Sequence, residues 1–202
     1  MSELTNLLEI IASRRSIRRF LEQPVSPELL KTVLEAARWA PSAHNRQPWR
    51  FVVITESTIR QQLARDMASR LEADSRLDGR DEAAIQSDAA RSYQRLTSAP
   101  VHILVCLSME DMDSYLDVPR KRAELRMAIQ STAMAAQNLL LAAHAAGLGA
   151  CWMCAPLFCP DVVCESLQLP AEYEPQGLVL MGYAAENRTR SREPLETRVL
   201  YR

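Results

Sequence analysis

An α+β layered domain is the fold class this sequence predicts, and three observations carry the prediction. Helix-period and strand-like apolar segments both recur along the chain. The run Val101 to Leu107 has little polar alternation, as a strand covered on both faces does, and a long helix rich in alanine and leucine follows it. With 202 residues and 48% apolar composition the chain can bury a substantial core, and a single domain over 1–202 is the simplest partition.

Leu4, Leu7, Leu8 and Ile11 fall at the helical period, so a helix over 4–12 is expected to pack along that side. It delivers a cation-rich run, Arg14-Arg15-Ser16-Ile17-Arg18-Arg19-Phe20, at its end. Ser26-Pro27 reads as an N-cap followed by proline in the first helical position. The helix it starts runs to about Trp39, with Leu29, Leu30, Val33, Leu34 and Ala37 inward. Pro41 stops it, leaving 42–47 as a loop before a strand over 50–54, and Pro48 is expected to hold Gln47 in extended geometry.

Residues 58–95 read as helical but poor in apolar side chains, broken by a charged stretch at 75–80; the segment is either a lid or a solvated hairpin. After Asp117 and Pro119 a helix is expected from about Arg120 to Ala146, with Gly147 as its C-cap. From Ala128 onward it is apolar around much of its circumference, which demands burial on more than one side. A short strand at 151–154, a helix at 160–167 and a strand at 176–183 follow. The tail at 186–202 is polar until Leu195, Val199 and Leu200, a spacing that suits an extended arm on another subunit's sheet.

A formal charge of -1 gives no general attraction to nucleic acid, so the arginines near the N-terminus suggest a local anionic ligand. No apolar stretch reaches the roughly 18 residues of a membrane span, and no basic leader opens the chain, which leads to the expectation of a cytoplasmic protein. The five cysteines are an odd number and argue against a secreted disulfide framework. Cys151 and Cys154, read on a strand, point to opposite faces, and with Cys159 and Cys164 they are expected to be buried thiols rather than metal ligands. His102 and His144 fall on different elements and make no metal cluster with them.

The chemistry concentrates in that first cationic run and in Pro41-Ser42-Ala43-His44-Asn45-Arg46-Gln47-Pro48-Trp49. Arginines offer forked donors to a phosphate, while Asn45 and Gln47 each donate and accept in one plane. A flat, phosphorylated ligand with a polar edge fits both, and flavin mononucleotide (FMN) is such a ligand. The two segments resemble the signature of the FMN-dependent nitroreductase family, and Gly147-Leu148-Gly149-Ala150-Cys151-Trp152 is similar to that family's later flavin-facing turn.

This resemblance implies a three-layer fold, a central mainly antiparallel sheet flanked by helices, in an intertwined homodimer. It implies cofactor contacts from Arg14, Arg15 and Ser16, from Pro41, Ser42, Asn45 and Gln47, from Gly149 and the turn Trp152, Met153, Cys154 and Ala155, and from Arg192 in the tail. Pro41 and Ser42 would cross to the flavin held mainly by the partner. The flavin itself would carry the electron chemistry, with NADH or NADPH as donor and a small nitro, quinone or conjugated molecule as acceptor, so no side chain is expected as a charged catalytic group.

A narrower resemblance, through Asp117 to Glu124 and Phe158 to Val163, is to the C-terminal domain of the bifunctional coenzyme F420 biosynthesis protein. It implies reduction of dehydro-F420-0 as an alternative activity, with Arg76, Arg80, Arg91 and Arg95 receiving the anionic substrate. A noncatalytic flavin-binding role is the third reading. The ligase domain of that bifunctional protein is absent from this sequence.

Overall fold

Ser26 accepts the Leu29 N–H and Pro27 occupies the first turn, so α2 begins where the sequence placed it and runs Pro27–Arg38. The computed structural model describes residues 2–202. Before α2 lies α1 (Glu3–Ser13), and after it come β1 (Trp49–Ile54), α3 (Ser57–Leu77), α4 (Glu82–Thr97), β2 (Val101–Leu107), α5 (Val118–Ala145), β3 (Gly149–Met153), α6 (Pro160–Leu167) and β4 (Glu174–Gly182). The strands form one antiparallel sheet in the order β1-β2-β4-β3.

Strand alternation divides the core into two layers. Val101, Ile103 and Val105 of β2, with Val179 and Met181 of β4, pack under α2 and α5. Leu104 and Cys106, with Leu178 and Leu180, pack on the opposite face under α3, α4 and α6. Every residue of β2 is buried, which explains its unbroken apolar run. Each such aliphatic side chain contributes roughly 1.5–3 kcal/mol by leaving water.

Two glycines permit close approaches within these layers. A Cβ on Gly177 would lie 2.2 Å from the Trp152 ring, so the indole lies directly over that glycine. Gly147 ends α5 with φ at 78°, where only glycine is unstrained.

His102 sits on β2 with no exposed surface, and its Nε2 donates to the Leu96 carbonyl at 2.7 Å. Its Nδ1 has no partner. Burial lowers its pKa to about 4. Because the folded value lies below the unfolded one, the unfolded chain binds the extra proton; stability present above pH 6.5 is lost as pH falls towards 4. The loss expected across that window is about 3 kcal/mol. Urea unfolding at pH 7.5 and 4.5 checks it: His102→Leu should remove that part of the acid sensitivity, and an equal slope in both proteins would exclude His102 as its source.

Several expectations are corrected. Leu4, Leu7, Leu8 and Ile11 all lie exposed, because no element among the described residues covers the apolar side of α1. The break in the helical segment is shorter than read, since Ser75, Arg76 and Leu77 belong to α3 and only 78–81 connects it to α4. Cys154 is exposed and follows β3, whereas Cys106, Cys151 and Cys159 are buried and Cys164 half-buried. Gln47 is not extended: its φ is 51°.

Candidate active site

The cationic run is stitched to the outer edge of β3. Ile17 N–H donates to the Ala150 carbonyl at 3.0 Å, and Ser16 bridges Ala150 in parallel. A side chain on Gly149 would meet the Ile17 side chain at 2.9 Å, so glycine there lets the two segments touch. The result fixes Arg14, Arg15 and Ser16 beside the start of β3, each half-buried.

Arg14 lies in an unfavourable place for a cation. Burial lowers its pKa, and Arg192 and Arg15 lower it further. Arg15 Nη1 donates to the Arg14 carbonyl at 2.8 Å, yet its Nε is shielded from solvent and has no acceptor. Among the described residues none of Arg14, Arg15 and Arg192 forms an ion pair. Three clustered guanidinium groups without a carboxylate make a site for an anion, and the unsatisfied Nε supplies one of its donors.

The second motif has a different physical character. His44, Asn45 and Gln47 have φ of 49°, 54° and 51°. Left-handed backbone at a non-glycine residue costs of order 1 kcal/mol or more and persists only where neighbours impose it. Here Ser42 Oγ accepts the Gln47 N–H at 3.1 Å, and Ser131 Oγ, from α5, accepts the Ala43 N–H at 3.2 Å while donating to the Met127 carbonyl. Arg46 pairs with Asp113, and Asp113 N–H in turn donates to the buried Glu124 Oε1 at 3.1 Å. Thus α5 holds the loop through Ser131 directly and through Glu124 at one remove.

Ser131→Ala is expected to cost about 1–2 kcal/mol by leaving the Ala43 N–H without its acceptor. A thermal unfolding midpoint equal to that of the parent protein would show that the loop is held without it.

Asn45 is exposed and Gln47 half-buried, with Pro41 exposed beside them. The sheet order keeps this loop far from the cationic run: the loop leads into β1 at one edge, whereas Arg14 to Ser16 flank β3 at the other. Three strand spacings separate the edges, about 14 Å. Within one chain the two motifs thus flank opposite edges of the sheet.

At the end of β3, Trp152 packs with the α2–α5 layer while Met153, and Ala155 just beyond the strand, pack with the α3–α6 layer. Trp152 Nε1 donates to Cys154 Sγ at 3.1 Å. Along this stretch, expected to offer main-chain donors, Cys154 is exposed and Trp152, Met153 and Ala155 are half-buried.

Of the arginines expected to receive substrate, three are engaged within their own hairpin. Arg76 pairs with Glu72 at 3.0 Å and Glu82 at 2.8 Å; Arg80 and Arg91 both pair with Asp88. Arg95 is half-buried and has no ion pair among the described residues. The 58–95 segment is a salt-bridged helical hairpin, and its acidic partners were legible only as alternating charge.

Beside the cationic run opens a cleft of about 250 Å³, lined by Ser13, Arg14, Arg15, His144, Arg188 and one carboxylate, Glu186, which pairs with Arg188. Neither Ser13 nor His144 stands out in the sequence, since their meeting depends on how α1 crosses the end of α5.

A layered antiparallel sheet with a loaded cationic edge has clear relatives. The model of the nitroreductase family matches residues 11–183, and the chain belongs to that family. It is 32% identical over 214 residues to an NADH dehydrogenase of Thermus thermophilus, covering 94% of this chain and 92% of that one. A Methanothermobacter thermautotrophicus protein whose name gives NADH dehydrogenase and NAD(P)H nitroreductase is 30% identical over 189 residues, covering 90% of this chain and 79% of the relative. Among solved structures, a nitroreductase of Desulfovibrio desulfuricans in complex with FMN is 31% identical, with a TM-score of 0.75, over 97% of this chain and 96% of that one.

Proposed function

We propose that this protein is an FMN-dependent oxidoreductase that passes electrons from NADH or NADPH to a small nitro, quinone or other conjugated acceptor. The observation that carries the reading is the half-buried Arg14, flanked by Arg15 and Arg192 with no carboxylate among them. A phosphate monoester relieves that repulsion and gives Arg15 Nε its acceptor, so these residues fit the phosphate end of FMN. A family relative solved in complex with FMN supports FMN as the cofactor.

When bound, FMN supplies the two-electron chemistry between nicotinamide and acceptor. The chain's own residues bind and orient it. Arg14, Arg15 and Arg192 hold the phosphate; Ser16, fixed against Ala150, addresses the polyol; the backbone of 152–155 lines the ring beside Gly149. Asn45 and Gln47 supply in-plane donors and acceptors to the ring edge, from a loop whose strained backbone keeps them in one orientation.

We infer a homodimer in which each site takes the cationic run of one chain and the 41–47 loop of the other. Three observations support it: the opposite-edge placement of the two motifs, the uncovered apolar side of α1, and Leu195, Leu200 and Tyr201 standing exposed in the tail. The dehydro-F420-0 alternative loses most of its substrate receptor, because Arg76, Arg80 and Arg91 are held by carboxylates of their own hairpin.

The test is an anaerobic absorbance titration of FMN-loaded protein with NADH and NADPH, followed by nitroaromatic, quinone and dehydro-F420-0 acceptors. Bleaching by a nicotinamide and recovery with a quinone or nitro compound is the expected result. Tight FMN that neither nicotinamide bleaches would leave a flavin-binding protein instead, and recovery confined to dehydro-F420-0 would restore the narrower activity.

A further inference from the structure

The cleft beside Arg14 and Arg15 contains a histidine, His144, one of whose ring nitrogens meets Ser13. Ser13 Oγ lies 2.7 Å from His144 Nε2 and 2.6 Å from the Glu9 carbonyl. A carbonyl only accepts, so the serine proton goes to Glu9 and the hydroxyl oxygen accepts from His144 Nε2–H. This fixes the tautomer of the neutral ring. Nδ1 is left as the atom that gains or loses a proton.

We propose that His144, oriented by Ser13, is a further phosphate-end residue of the cofactor site, neutral in the empty protein and protonated when a phosphate monoester is bound. The proposal rests on the flavin reading above and adds a residue and a proton to it. The charged surroundings decide the sense of the effect. Arg14 and Arg15, on the segment that leaves α1, face His144; Arg188 and Glu186, from the tail, line the same cleft. Glu186 is paired with Arg188 at 3.0 Å and accepts the Arg18 N–H at 2.6 Å, so its charge is already engaged. From β3 the cleft receives only Gly149 and Ala150.

The field at His144 is therefore that of two unpaired arginines. Burial lowers its pKa, and Arg14 and Arg15 lower it further. A bound phosphate carries between one and two negative charges near neutral pH, and placing it against Arg14 and Arg15 reverses the sign of that field. The imidazole then takes a proton from solvent as the ligand binds. No bond other than that N–H forms, and the proton returns to solvent on release.

The experiment compares the wild type with His144→Gln, which keeps a donor for Ser13 but cannot titrate. FMN and riboflavin are titrated by quenching of flavin fluorescence from pH 5.5 to 8.5, and FMN binding is followed calorimetrically in two buffers of different ionisation enthalpy at pH 7. The phosphate's own ionisation near pH 6 acts on both proteins and cancels in the ratio of their dissociation constants. That ratio, variant over wild type, should grow severalfold between pH 8 and pH 6 for FMN and stay flat for riboflavin. Calorimetry should show net proton uptake beyond that of His144→Gln.

A flat ratio with normal FMN binding overturns this proposal alone. The same growth for riboflavin would place His144 in the fold rather than at the phosphate. Failure of the wild type to bind FMN at any pH removes the flavin reading and this proposal with it. His144→Lys, with a permanent charge, should bind FMN tightly with no such pH dependence; if it binds no better than His144→Gln at pH 8, a cation at this position is irrelevant.

Discussion

Arg14→Ala is expected to weaken FMN binding by about 1.5–3 kcal/mol, roughly a 10- to 150-fold rise in Kd, the scale of a hydrogen bond to a charged group. The same substitution should leave the empty protein as stable as before or slightly more so. The Arg14 cation is disfavoured in the folded chain by burial, by Arg192 and by Arg15, and has no carboxylate to lose. Binding and stability thus move in different directions, which separates a ligand role from a scaffolding one. Arg14→Lys should fall between, since it keeps the charge and loses the fork. Riboflavin, lacking the phosphate, should bind parent and variant alike. Equal FMN affinity in parent and Arg14→Ala would remove Arg14 from the site.

Met134→Asp, alone or with Ile129→Asp, is expected to dissociate the dimer and strip it of flavin. Both side chains are 39% exposed on the outer side of α5, whose inner side buries Ala128, Ala135, Leu139 and Ala143. In a two-fold interface each substitution acts twice, so covering the exposed two-fifths of one such side chain, worth roughly 0.6–1.2 kcal/mol, weakens association by about 1–2 kcal/mol when lost. That corresponds to roughly one to two orders of magnitude in the dimer Kd for each substituted position. Sedimentation at micromolar protein should then show one chain's mass, and FMN should be lost with it, because the loop carrying Asn45 and Gln47 and the run carrying Arg14 lie at opposite sheet edges. A monomer that keeps FMN and full nicotinamide oxidation would defeat the two-chain site.

The elements with a local chemical cause were legible in the sequence. Ser26-Pro27 started α2, Pro160 to Leu167 was a helix as read, and the unbroken run at 101–107 was the doubly covered strand. The spacing of Leu4, Leu7, Leu8 and Ile11 gave the helix but not its environment, since periodicity says that a face is apolar and not which chain covers it. The extended geometry expected for Gln47 failed for a reason inside its own loop: Ser42 Oγ, five residues back, captures its N–H and outweighs the restriction that Pro48 imposes. The hairpin arginines looked free because their partners stand three to eight residues away along two helices, or across them, where only geometry shows the pairing. Ser13 and His144 are 131 positions apart, beyond any local signal.

One helix carries two duties. On its inner side α5 steadies the 42–47 loop through Ser131 and Glu124, and on its outer side it presents Ile129 and Met134. In the proposed two-chain site, cofactor loading and pairing are coupled by mass action, because whatever binds the assembled form draws chains out of the unpaired one. On that proposal a cell short of flavin would hold more of the unpaired chain, with its apolar helix faces open to proteases, and the amount of this protein would track flavin supply through its turnover.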